Sequence, residues 1–310
     1  MPTQNTSKSV KKDWWVFATF IAIFLQGLCY AYLQSKHGGP KGIVIFYFAP
    51  ILFPFLSVVF FIIALIKSLR YRPFFNQWRL VGFVCLVALG FSGLLYSQYT
   101  SSYYNKPCLV AFRLPTDSTL TVGWGGTTEA TNYHVGYPNQ CYAYDLLITH
   151  NGKTHQGDSS KLSSYFIYGM PVLAPCAGKV VYTFHTDPDM APGAMDGGTS
   201  PTGNHIIMEV APHQYLFLCH LQPHSLLVKK GDTVTEGQKL ALAGNSGNTS
   251  EPHLHMHVQD NKNFDLGEGI PLLFAHYESN GKYVEKGIPN GGISNDGKFA
   301  GEIVKNVQKQ

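Results

Sequence analysis

Pro252-His253-Leu254-His255-Met256-His257-Val258 decides how the C-terminal part of this 310-residue chain is read. Successive side chains of a β-strand point to opposite faces. His253, His255 and His257 then share one face, and Leu254, Met256 and Val258 pack beneath it. Three imidazoles in a row do nothing for stability on a solvated face. Two of them sharing a metal ion is a reading with a physical purpose, because neutral imidazole is a common zinc ligand. A histidine-rich surface strand is the plainer alternative, and the heptapeptide by itself does not choose between them.

The surrounding sequence has the same texture. Short apolar or alternating runs at 142–149, 178–184, 205–210, 215–221 and 239–243 are separated by Gly, Pro and Asn. Turn signals at that interval predict a mainly antiparallel β domain. Residues 185–203, rich in Asp, Pro, Gly and Met, read as a long loop beside a site. Two further signals join the heptapeptide. Asp145 lies inside the apolar run 142–148, downstream of His134, and a buried carboxylate needs a partner. His220 lies in a strand-like run, Leu218-Cys219-His220-Leu221.

Taken together, residues 132–275 resemble the lysostaphin/LytM-type zinc peptidases, family M23. Besides the histidines, the resemblance runs through Ala174-Pro175-Cys176-Ala177-Gly178, Gly203-Asn204-His205 and Val228-Lys229-Lys230-Gly231-Asp232-Thr233-Val234. It continues through Glu236-Gly237-Gln238, Gly244-Asn245-Ser246-Gly247-Asn248 and Pro252-His253-Leu254-His255. It implies a β groove of the M23 type and one zinc ion per domain. His134, Asp145 and His255 become the zinc ligands, and His253 and His220 the catalytic groups. Such a set leaves a fourth position open for water, as catalytic zinc requires. His257 is placed behind the ligands or along the groove. The chain departs from the family in spacing, with ten residues between His134 and Asp145. His150 is the nearby rival, but five positions along a strand from Asp145 it would face the other way.

The N-terminal part is of another kind. Residues 14–34, 43–66 and 80–96 are uncharged and apolar, near the 20 or so residues that cross a bilayer. Residues 1–97 therefore read as a three-helix transmembrane anchor, 98–131 as linker and leading strands, and 276–310 as a Gly- and Asn-rich tail with little to pack. Seven basic residues flank one side (Lys8, Lys11, Lys12, Lys67, Arg70, Arg72, Arg79), and only Lys36 and Lys41 flank the other. The positive-inside rule puts the N-terminus in the cytoplasm of a multi-pass cytoplasmic-membrane protein and everything after Tyr96 outside it. No Asp, Glu, Lys, Arg or His lies within the three stretches, which argues against a transporter. His37, like His155, His185, His213, His224 and His276, reads as an ordinary polar residue.

Charge narrows the partners. Residues 1–97 carry nine basic side chains and one acid, Asp13; the rest carry fourteen basic and eighteen acidic ones, a net −4 (14 − 18) that speaks against nucleic acid. Cys108, Cys141, Cys176 and Cys219 could form two disulfides in an oxidising compartment or stay as buried thiols. The resemblance and the exported location imply hydrolysis of peptidoglycan cross-links, with a protein activator as a conceivable partner. The alternatives are a non-catalytic wall-binding or activator module and a peptidase acting on exported proteins.

Overall fold

The computed structural model describes residues 13–36, 38–96, 99, 101–194, 200–294 and 296–307; Lys8, Lys11, Lys12 and His37 fall outside them. The chain divides into two units, Met1–Thr100 and Ser101–Gln310.

The first unit is helical. α1 (Trp14–Gln34), α2 (Gly39–Arg70) and α3 (Gln77–Phe91) fall on the three apolar stretches, and a 3₁₀ turn, Ser92–Tyr96, prolongs α3. α2 runs well beyond 43–66 at both ends. Pro40 suits a first turn, and Lys67 and Arg70 favour the C-terminal end of a helix dipole. Counting the 3₁₀ turn with α3, all three are long and apolar enough to cross a membrane. Their outward residues, such as Phe24, Ile51 and Phe91, are exposed apolar groups. α1 and α3 approach closely at Gly82, where a Cβ would strike the Trp15 ring. Arg79 is not the free flanking charge its position in the sequence suggests. It is buried, its Nε donates to Asp13 Oδ1 at 2.8 Å, and its Nη1 donates to the Tyr71 and Pro73 carbonyls. That pair ties the start of α1 to the start of α3, so Asp13 and the second loop lie at one end of the unit.

The second unit is a sheet. Its strands are β1 (Ala111–Phe112), β2 (Leu120–Trp124), β3 (Tyr144–Leu147), β4 (Pro171–Leu173), β5 (Gly178–Phe184), β6 (Asn204–Ala211) and β7 (Gln214–Leu221). They continue with β8 (Thr233–Val234), β9 (Lys239–Leu242), β10 (Leu254–Gln259), β11 (Gly269–Ile270), β12 (Leu273–Ser279), β13 (Lys282–Gly287) and β14 (Ile303–Asn306). The main sheet runs β1-β12-β14-β2-β3-β10-β7-β6-β5-β8; β11 pairs with β10, β13 with β12, and β4 with β9 as a separate ribbon. Every pairing is antiparallel except β1 with β12. One face is the core. Leu254, Met256 and Val258 of β10 pack there with Leu216 and Leu218 of β7 and Ile206 and Met208 of β6. Full burial of each such side chain stabilises by about 1.5–3 kcal/mol.

Two sequence expectations change, and one open alternative is decided. Residues 276–310 are not an unpacked tail: β14 lies between β12 and β2, and Tyr277 and Val304 are core residues. Their apolar positions are too sparse among Gly and Asn to show a strand period. The linker is not free along its length either. Ser102 donates through its backbone N–H and its hydroxyl to the Glu268 carboxylate, at 2.6 and 2.7 Å. Cys108, Cys141, Cys176 and Cys219 are buried free thiols, so the two-disulfide alternative is not realised.

Candidate metal centre

The site forms on the other face of the sheet, over β3, β10 and β7. In register, His255 of β10 lies opposite Asp145 of β3 on one side and Cys219 of β7 on the other. His134 arrives from a 3₁₀ turn, Tyr133–Gly136, and His253 from the residue before β10. His220 ends β7. Strand alternation would send it toward the core with Leu218, but its φ of 59° is left-handed and turns the ring out toward the histidines. Its ring centroid lies 4.7 Å from that of His253 and 5.7 Å from that of His255.

The five residues named from the sequence are thus brought together, all of them buried. Asp145 is the hub. Its Oδ1 lies 2.8 Å from His255 Nδ1 and 3.4 Å from His253 Nε2, and its Oδ2 lies 3.5 Å from His134 Nε2. Ligand atoms of His134, Asp145 and His255 fall within 4.8 Å of one another, and so do those of His220, His253 and His255. His150 is elsewhere, bridged to Lys153 with its ring against Phe166.

Hydrogen bonds behind the rings determine what they present. Gln259 Nε2 donates to the carbonyls of Asn261 and Asn263, at 2.6 and 2.8 Å, so its Oε1 must accept from His257 Nε2. His257 Nδ1 is then an acceptor and takes the Nε2–H of His255 at 3.0 Å. That leaves the Nδ1 lone pair of His255 facing a carboxylate oxygen. The same holds at His134. Asn132 Nδ2 donates to the Gly126 and Ala143 carbonyls, so Asn132 Oδ1 accepts His134 Nδ1–H at 2.9 Å, and His134 Nε2 faces Asp145 as a lone pair. His253 and His220 give their Nδ1–H to the Glu251 and Ser246 carbonyls, each at 2.8 Å, and so keep Nε2 as a base. Lone pairs pointed at a buried carboxylate repel it unless a cation stands among them. The donor set of two imidazoles and one carboxylate is one that zinc takes. His134, Asp145 and His255 therefore fit the ion.

The electrostatics agree. Burial by itself would raise the Asp145 carboxyl, but positive charge among the imidazoles, on His134 or on His253, holds it well below the ordinary carboxylate range. Burial pulls His134 down to about 3. It also pulls His220 and His257 well below the ordinary imidazole range, so these three rings are neutral and able to offer lone pairs. His253 is the exception: burial would lower it, but the Asp145 charge and hydrogen bond raise it.

Asn132 and Gln259 were not visible in the sequence as part of the site, since nothing local links an amide to a histidine through a third residue. Gly267 clears the path for Gln259, because a Cβ there would collide with the amide. Groups that orient metal ligands typically matter by 10–100-fold in metal affinity. Gln259→Leu should thus weaken zinc binding by about 10–100-fold in a competitive chelator titration, with the fold retained. Unchanged affinity would remove the relay from the site.

Comparison with known proteins comes from two sides. The model of peptidase family M23 matches residues 163–266, a span that includes His220, His253 and His255 but not His134 or Asp145. A curated relative, peptidoglycan DD-endopeptidase ShyB of Vibrio cholerae, is 44% identical over 59 residues, 18% of this chain and 13% of that protein. The chain therefore spans a small fraction of that relative's length. Among solved structures, a zinc-containing peptidase from Vibrio cholerae is 23% identical with a TM-score of 0.30, over 57% of this chain and 39% of the other. The catalytic domain of lysostaphin from Staphylococcus simulans is 18% identical with a TM-score of 0.28, over 55% and 93%. Residues 163–266, about a third of this chain, are thus similar to peptidase family M23.

Proposed function

We propose that the protein is a zinc-dependent endopeptidase that hydrolyses peptide cross-links of peptidoglycan on the outer side of the cytoplasmic membrane. The observation that carries this is the set of imidazole lone pairs converging on Asp145, within a chain that shares a segment with a peptidoglycan endopeptidase. His134, Asp145 and His255 are the zinc ligands in this reading, and His253 and His220 the proton-transfer groups. Zinc held there supplies an acidified water and a polarised scissile carbonyl. His253, fixed through Nδ1 by the Glu251 carbonyl, takes the water's proton at Nε2 and returns it to the leaving amine. His220, fixed by the Ser246 carbonyl, presents its own Nε2 beside His253 as a second acceptor for that proton, and only once it carries the proton does it donate Nε2–H to the charge that develops on the carbonyl oxygen.

Incubating the zinc-loaded full chain in detergent with cross-linked peptidoglycan should convert dimeric muropeptides into monomers, and adding a chelator should stop the conversion. Persisting dimers with fully loaded protein would reject the substrate.

Orientation is part of the same proposal. α1 to α3 act as the anchor, with the charge asymmetry placing the second unit outside. A reporter fused after Gln98 should behave as exported, and one inserted in the loop 71–76 as cytoplasmic. The reverse pattern would separate the enzyme from this substrate.

A further inference from the structure

A cavity of about 470 Å³ opens on the same face of the sheet as the metal centre, on the side of β6 and β5. It is continuous with the centre through the side chains themselves. The His257 ring, hydrogen-bonded to His255, stacks on Phe217 at 4.6 Å between centroids, and Phe217 lines the cavity. From β10 across β7 to β6 is two strand spacings, roughly 10 Å, or about three residues of extended peptide.

The lining has a definite chemistry. Phe217 and Phe264 make an aromatic floor. His205 stands in the wall, buried, with its ring stacked on Tyr182 at 5.5 Å. Its Nδ1–H donates to the Gly203 carbonyl at 2.7 Å, which makes its other nitrogen, Nε2, an acceptor. Nε2 has no partner among the described residues. Lys230 and Lys262 stand at the rim, both exposed. Neither has a carboxylate in ion-pair range among the described residues. No Asp or Glu lines the cavity among the described residues. Two unneutralised ammonium groups over an aromatic floor select against a cationic or a purely apolar guest.

We propose that this cavity is a subsite for an acidic residue of the peptide substrate. The carboxylate sits at Lys230 and Lys262, its methylene stem lies on Phe217 and Phe264, and a backbone N–H is donated to His205 Nε2. The proposal deepens the peptidase reading and rests on it, because it assigns one feature of the substrate held in the same groove.

The test uses probes too small to depend on cleavage. The full chain in detergent micelles is titrated calorimetrically with N-acetylglutamic acid α-amide and with N-acetylglutamine α-amide, which differ only in the side-chain carboxylate. The acid should bind more tightly by about fivefold at low ionic strength, as two partly screened ion pairs allow. The preference should shrink in about 0.5 M salt, where the Debye length falls well below its dilute-buffer value. It should vanish in Lys230→Ala/Lys262→Ala, whose changes are at exposed positions and leave the core alone. Lys230→Glu/Lys262→Glu should reverse the selection toward N-acetyllysine α-amide. Equal binding of acid and amide, no binding of either at tens of millimolar, or a preference that survives the double variant would each overturn the subsite. Peptidoglycan cleavage by the parent is measured separately. Cleavage without the carboxylate preference keeps the peptidase and removes the subsite, whereas the preference without cleavage does the opposite.

Discussion

His255→Ala protein should be isolated without zinc and without peptidase activity, whereas His253→Ala should keep its zinc and lose activity by on the order of 10²–10⁴-fold. The two residues are neighbours on one strand face, so a general disturbance of β10 would affect both alike. They differ in what their ring nitrogens do. His255 aims Nδ1 at Asp145 from 2.8 Å and is held from behind by His257, a ligand's arrangement. His253 is held at Nδ1 by the Glu251 carbonyl and faces Asp145 from 3.4 Å through Nε2, the arrangement of a base. His220→Ala should behave as His253→Ala does. Metal content by atomic absorption, set beside turnover, checks the split. Loss of zinc in His253→Ala with retention in His255→Ala would exchange the two roles.

The second large effect concerns His134. Its replacement by Ala should strip zinc from the protein, and His150→Ala should leave the metal content unchanged. His134 is buried, its ring packed at a tilt against Tyr133, with Nε2 3.5 Å from Asp145 Oδ2. Asn132 holds that ring from both ends: its Oδ1 accepts from the His134 backbone N–H at 3.1 Å and from the ring Nδ1 at 2.9 Å. A zinc-free His150→Ala protein, or a zinc-loaded His134→Ala protein, would transfer the ligand role.

The legible parts of this protein were those whose signal is local. Apolar stretches at 14–34, 43–66 and 80–96 gave the helices, because hydropathy and length depend on nothing distant. Alternation in 253–258 placed the histidines on one face and Leu254, Met256 and Val258 on the other, as the structure has them. The long His134–Asp145 spacing is accommodated by a loop and a 3₁₀ turn, which sequence periodicity does not describe. What stayed hidden depends on contacts far apart in the chain. β14 joins the sheet beside β2 although some 180 residues separate them, and its four residues carry one buried apolar group, Val304. Arg79 reads as a loop charge until Asp13 is seen beside it. His220 is named a catalytic group from the sequence, but the left-handed φ that turns it out of the core-facing alternation of β7 could not be read there. Asn132 and Gln259 act only through other side chains.

The most direct measurement is anomalous scattering at the zinc edge from crystals of the zinc-loaded protein. One peak is predicted in the second unit, within bonding distance of His134 Nε2, an Asp145 carboxylate oxygen and His255 Nδ1, with His220 and His253 close by but outside the ligand set. A peak held instead by His220, His253 and His255, or the absence of any peak near Asp145, would contradict the account.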